Sequence, residues 1–446
     1  MTSSGAVCHL PFDLRLPFAR YIAHSGMEYM RRYVVGRVYR ESKRKVRPCH
    51  PVEVLECAFD IVTPGDDTLW LDAELLVVAI RAAAECSLKV TVQLNHTDLL
   101  RSLLLSCGVP LDKHHTLYPV LVDFSLGLRP RLQLQTHLDT LDVSPDNMKF
   151  LFRIMKGENT LKNMQDLALK VPSDQRPRFY EVVNQLCDVI RHAGAYGCEC
   201  PMTITPSLAY NATQHSGVFW QMSVARQDQR TAKHRSKDLI AAGGRYDALV
   251  QEFRKVARGK KDSIVESKSS HVGFSMLLEQ MGTILTSLNV ELPRTVKGFE
   301  SPLIAVTTFV TVGDPSYGEL ATQRVKLVRE LWANGYSCIT SNHETVDVII
   351  TLIPGVDYVR VSCLKKNTWS QEIVPLEDVV QFINRKFNPD AIRRTELGGP
   401  RRPRAARFIA LRPRPGLYRA RLRRVLQSPE HSGGGAAGPG RSGAPE

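Results

Sequence analysis

The spacing of apolar residues changes period several times along the chain. Tyr33 to Tyr39 and Val54 to Val62 are rich in β-branched and aromatic residues and read as two strands. The segment between them carries Lys43, Arg44, Lys45 and Arg47, so the pair predicts an antiparallel hairpin with a basic loop. Residues 72–86 show helical spacing, and Val90 to Leu94 reads as a short strand. Asn95 is expected to cap a helix running through Leu105. Residues 117–195 lack strong strand signals and predict a helical insertion, with Phe179 to His192 as an example. Strand patterns resume at Met202–Ile204 and Gly217–Val224. Gly243–Gly244 predicts a tight turn between a strand and a helix, and Arg254 to Lys268 reads as a charged loop. Val272 to Leu288 then reads as a strand turning into a helix.

Pro293 and Gly298 interrupt the pattern and mark a boundary. Beyond it, Pro302 to Val310, Cys338–Ser341, Val346–Leu352 and Tyr358–Ser362 read as strands. Gly318 to Asn334 and Leu376 to Phe387 read as helices. That alternation predicts a small α/β unit with some parallel pairing. Three regions are therefore expected: 1–294 with its insertion at 117–195, a smaller domain at 300–388, and a tail at 389–446.

Charge changes the picture only after it is divided. The net charge is +14, but residues 390–446 hold 13 arginines and four acidic residues, a surplus of nine. About five positive charges remain for the other residues, a mild excess that still favours a polyanionic partner. The tail is dominated by Arg, Pro, Gly and Ala and predicts disorder. An artefact of a shifted frame or misread splice site explains it in preference to an RNA-binding arm. No apolar run is long enough for a membrane span, and no basic segment followed by an apolar stretch marks a secretory signal. Ten scattered cysteines, with only Cys198 and Cys200 close together as a C-x-C pair, suggest reduced thiols in the cytoplasm and no metal site.

Several stretches together resemble the histidyl-tRNA synthetases. Leu10 to Tyr21 is similar to that family's L-R-Y-D-L-T-x-P-F-A-R-Y. Arg31 to Asp60 resembles the class II motif-two hairpin, Ala242 to Val250 the second histidine-specific motif, and His271 to Gln280 motif three. The resemblance covers roughly 7–388. It implies an α/β (α+β) class II synthetase-like fold: an antiparallel sheet with helices, a helical insertion and a small anticodon-binding-like domain. It also places the first described motif after the point where the motif-one helix, a dimer element, would lie.

The departures bear on activity. Adenylation brings a carboxylate against an α-phosphate, and fixed guanidinium groups neutralise the two best. The arginines that the family implies are replaced by Val52, Pro206 and Gln280, while Arg40 survives. The glutamine that would help hold histidine is Glu56, and the threonine after Asp13–Leu14 is Arg15, which would crowd the pocket. Asp13 could still hold an α-amino group. Asp13, Arg15, Glu56, Tyr210, Gly243, Gly244 and Arg245 are thus expected to outline a vestigial amino-acid pocket with no catalytic residues. No cofactor is implied.

The same combination is similar to the synthetase-like regulatory region of the amino-acid-starvation kinases acting on the α subunit of translation initiation factor two. Leu55 to Val62, Leu94 to Thr97, Gln214–His215 and Leu239 to Asp247 carry that likeness. It implies uncharged tRNA and an adjacent kinase domain as partners, with a homodimer and ribosome association as further possibilities. The kinase motifs themselves, H-R-D-L-x-x-x-N, D-F-G and V-A-I-K, are absent from this sequence. Candidate tRNA contacts are Arg40, Lys43, Arg44, Lys45 and Arg47 on the hairpin, with Lys365 and Lys366 in the last domain. Competing readings are an active synthetase, a regulatory paralogue for ATP phosphoribosyltransferase that binds histidine, and a dimerisation module without RNA.

Overall fold

A computed structural model describes residues 10–40, 51–65, 69–157, 160–225, 237–258, 269–287, 302–310, 314–340, 346–365 and 368–387. Its larger sheet has seven strands. β1 (Met30–Arg40) and β2 (Val52–Pro64) form the expected antiparallel hairpin, from Met30 opposite Val62 to Arg40 opposite Val52. β3 (Val90–His96), β4 (Met202–Ile204), β5 (Val218–Ala225), β6 (Lys237–Arg245) and β7 (Ser269–Leu277) complete it in the order β1-β2-β7-β6-β5-β3-β4. All neighbours are antiparallel except β3 and β4.

Helix α1 (Arg15–Ser25) packs against α9 (Asp247–Arg258), burying Phe18 and Ile22 beside Tyr246 and Val250. Helix α2 (Leu69–Glu85) is mostly apolar and is buried without a break from Leu71 to Val77, as expected of a helix whose first turns lie within the core. Each fully buried leucine there, such as Leu75 or Leu76, contributes about 1.5–3 kcal/mol. Helix α3 (Thr97–Ser106) follows β3, and its N-cap differs from expectation. His96 Nδ1 accepts from Asp98 N, whereas Asn95 turns inward and donates to Pro206 O and Leu208 O.

The insertion is helical: α4 (His114–Ser125), α5 (Arg131–Asp139), α6 (Pro145–Lys156), α7 (Thr160–Lys170) and α8 (Arg176–Ala195). The charged segment expected to be a loop from 254 onward is helical to Arg258, and 259–268 lie outside the described residues. The strand-to-helix reading at 272–288 corresponds to β7 and α10 (Leu278–Ser287).

The second sheet has five strands: β8 (Leu303–Thr308), β9 (Ser337–Ile339), β10 (Val348–Leu352), β11 (Tyr358–Lys365) and β12 (Thr368–Pro375), in the order β12-β11-β10-β8-β9. β9, β8 and β10 are parallel, and β10, β11 and β12 antiparallel. Helices α11 (Tyr317–Ala333) and α12 (Val379–Phe387) carry its apolar faces. The two sheets meet where Tyr196, just past α8, stacks on Trp332 at 5.7 Å, with Arg81 4.9 Å from the same indole. The tail at 389–446 lies outside the described residues.

Candidate functional site

One face of the larger sheet holds a small cavity under the 10–15 segment. That segment is pinned to the hairpin by Tyr39 N donating to Pro11 O at 2.9 Å and by Leu14 packing over Gly36. Asp13, Arg15, Arg40, Glu56 and Tyr210 all line the cavity, together with Ala242 and Ser275. Its volume is about 20 Å³. That is room for one water molecule, and far below what an amino acid needs.

The cavity is small because its polar groups engage one another. Glu56 is fully buried and accepts from Leu14 N at 3.0 Å, Ser275 Oγ at 2.9 Å and Arg40 Nη2 at 2.9 Å. Arg40 also rests on the Phe12 ring, 4.0 Å from its centroid. Asp13 accepts from Leu16 N at 2.9 Å and Gln214 Nε2 at 3.1 Å. Burial pushes the Tyr210 hydroxyl up, so it stays protonated.

Arg15 runs into the floor of the site. Its Nη2 donates to Ala242 O and Gly273 O at 3.4 and 3.3 Å, and its Nη1 reaches His215 Nε2 at 3.5 Å. All three bonds are long, Nε has no partner, and no carboxylate pairs with the guanidinium among the described residues. Burial, helped by the Arg15 cation, holds His215 well below its usual range, so the ring is neutral. Its Nε2 accepts from Arg15, and its Nδ1 donates to Arg245 O at 3.3 Å. Beneath lies Asp60, whose pKa burial raises against the pull of Arg32 and Arg15. Arg32 pairs with it at 2.9 Å, and Tyr246 donates to it at 3.0 Å.

Three expected site residues sit elsewhere. Gly243 and Gly244 lie inside β6 rather than in a turn. There they let β5 and β7 approach closely: a Cβ on Gly243 would meet Phe274 Cβ at 2.6 Å, and one on Gly244 would meet Phe219 Cα at 2.6 Å. Arg245, at the end of β6, does not line the small cavity. It pairs with Asp72 at 2.5 Å and Asp247 at 3.2 Å and lines a separate cleft.

The remaining positions are scattered. Val52 is exposed opposite Arg40, Pro206 accepts from Asn95 through its carbonyl, and Gln280 Nε2 donates to Asp238 at 3.3 Å. Arg40 points to Glu56 rather than standing free on the hairpin. Lys43, Arg44, Lys45, Arg47 and Lys366 lie outside the described residues, while Lys365 ends β11. Ser275, which lines the cavity, and Gln214 and His215, which bond Asp13 and Arg15 from outside it, are not among the expected site residues. The only signal for them was their place inside stretches that carry the resemblance.

The histidyl-tRNA synthetase family profile matches residues 11–281. The mouse eIF-2-alpha kinase GCN2 is 28% identical over 433 residues, covering 91% of this chain but 24% of that protein. The cytoplasmic histidine–tRNA ligase of Dictyostelium discoideum is 29% identical over 334 residues, covering 74% of this chain and 63% of that one. The chain therefore spans about a quarter of the kinase. A crystal structure of histidyl-tRNA synthetase from Nostoc sp. PCC 7120 aligns with a TM-score of 0.47 at 17% identity, over 84% of this chain and 83% of that one. Matched by the profile over more than half of its length, the chain belongs to the histidyl-tRNA synthetase family.

Proposed function

We propose that this chain is a catalytically inactive synthetase-like module that binds uncharged tRNA and regulates a serine/threonine kinase acting on the α subunit of translation initiation factor two. The observation that carries the reading is the state of the amino-acid pocket: about 20 Å³ of space, with its charged groups engaged by the protein. Arg40 is committed to Glu56, and Val52, Pro206 and Gln280 supply no cation for an α-phosphate. Loss of one such transition-state group costs a few kcal/mol, or several powers of ten in rate. The likeness to the mouse kinase over 91% of the chain supports a regulatory rather than a synthetic role, in the cytoplasm and beside a kinase domain.

Uncharged tRNA is the proposed partner because the chain keeps a positive surplus outside its tail and has a basic segment between β1 and β2. Contacts from Lys43, Arg44, Lys45, Arg47, Lys365 and Lys366 to phosphates would give affinity without reading a particular anticodon. The test is filter binding of uncharged and aminoacylated tRNA at two salt concentrations. Replacing Lys43, Arg44, Lys45 and Arg47 with alanine should weaken binding and lower the log–log salt slope by up to about 3. Unchanged affinity in that variant would refute the hairpin assignment.

A further inference from the structure

At the C-terminal end of β6, a cleft of about 690 Å³ opens between the larger sheet and the helical insertion. The end of β3, the start of β5 and the N-termini of α3 and α9 form one side, and α8 forms another. Its size falls in the range of small-molecule sites. Nothing in the proposed tRNA reading uses it.

Three arginines and three carboxylates line it: Arg101, Arg178 and Arg245 with Asp98, Glu181 and Asp247. Arg245 and Asp247 form the fixed floor, tied to Asp72 and His271. The rim is looser. Arg178 bonds Asp98 at 2.8 Å and Glu181 at 2.9 Å while about half exposed, and Arg101 lies 3.9 Å from Asp98. Exposed pairs of this kind are worth little to stability, so their partners exchange readily.

His96 adds a second and independent feature. It is 4% exposed, yet it lines the cleft. Its Nδ1 is committed as the cap acceptor for Asp98 N at 3.1 Å. Burial, with Arg178 and Arg245 nearby, lowers its pKa to about 4 against the opposing pull of Asp98, so the ring is neutral. A neutral ring that accepts at Nδ1 carries its hydrogen at Nε2. That Nε2–H has no hydrogen-bond partner among the described residues and is not closed off from solvent, so an acceptor entering the cleft can reach it.

We propose that this cleft binds a small zwitterion, its carboxylate taken by His96 Nε2–H and the Arg178–Arg101 rim, its ammonium by Glu181 and Asp98. A simple anion would meet three carboxylates, and a simple cation three guanidinium groups. A molecule bearing both charges replaces rim pairs without leaving either sign in excess. The cleft is distinct from the closed pocket, where Arg15 and Glu56 leave no such space.

The test is calorimetric titration of the whole chain with free amino acids and dipeptides, beside their N-acetyl and methyl-ester counterparts and inorganic phosphate. Binding by the zwitterions, with affinity lost when either charge is capped, is expected. Arg178→Ala, at an exposed position, should weaken binding on the order of tenfold, as expected for one charge-assisted contact. His96→Asp keeps a capping acceptor while removing the donor and should do the same. Three results would overturn the assignment: no zwitterion binding at millimolar concentration, equal binding of singly charged probes, or binding unaffected by Arg178→Ala. Measuring tRNA affinity in the same variants separates this failure from failure of the tRNA reading, since neither substitution lies on the hairpin.

Discussion

Arg15 and Arg245 are both buried guanidinium groups beside β6, yet they close and open two different regions. Arg15, 3% exposed, fills the space beneath the small cavity with three long bonds and no paired carboxylate among the described residues. Arg245, 5% exposed, is clamped by Asp72, Asp247 and Ser270 and floors a cleft of about 690 Å³. Burying a charge is costly unless it is paired and bonded. The first arginine is tolerated as an occupant, whereas the second is a structural pillar. The small cavity beside β6 is thus filled by the protein's own side chain, while the cleft at the end of the same strand stays open.

The largest break in that comparison is Arg245→Ala. It leaves Asp72 buried without its ion pair, and unfolding in urea should show a loss of about 3–5 kcal/mol. Gly244→Ala comes next. Gly244 has φ +155, and an added Cβ would press on Phe219 and Val218, so a loss of about 1–3 kcal/mol is expected from the same measurement. Arg15→Ala should cost least of the three, about 1 kcal/mol or less, because the deleted group is poorly satisfied. A loss as large as that of Arg245→Ala would erase the distinction.

A smaller effect concerns pH. His192 stacks on Trp70 at 3.6 Å, and burial with the Arg191 charge lowers its pKa to about 4. The unfolded ring takes up its proton near 6.5, so the fold loses this contribution as pH falls from about 6.5 to about 4. His192→Phe keeps a ring on Trp70 and removes the titration. Its stability should fall less steeply over that window, as read by thermal melts at a series of pH values.

Much of the fold was legible because periodicity reports burial. The hairpin, α2, β3, the helical insertion and the alternating elements of the second sheet all carry one-sided or continuous apolar patterns. Gly243–Gly244 reads as a turn after a strand because paired glycines look like a chain reversal, yet both lie inside β6. Only the close approach of β5 and β7 explains glycine within a strand. β12 was missed because all but Val374 of its residues are exposed, so no alternation marks it. Asn95 was assigned the cap on side-chain type alone, and the choice between it and His96 depends on where the 206–208 carbonyls lie. At the site, Asp13, Arg15, Glu56 and Tyr210 come together around the cavity as the resemblance implies, whereas Gly243, Gly244 and Arg245 do not line it. What the side chains do to one another could not be read from the sequence: the pairing of Arg40 with Glu56 and the turn of Arg245 toward Asp72 are set by contacts between segments far apart in the chain.

The most direct test is histidine-dependent exchange of pyrophosphate into ATP by the purified chain. No exchange above a protein-free control is expected under the proposed function, in which the histidine seat is filled and the cations for the phosphates are absent or committed. Exchange that depends on added histidine would contradict it.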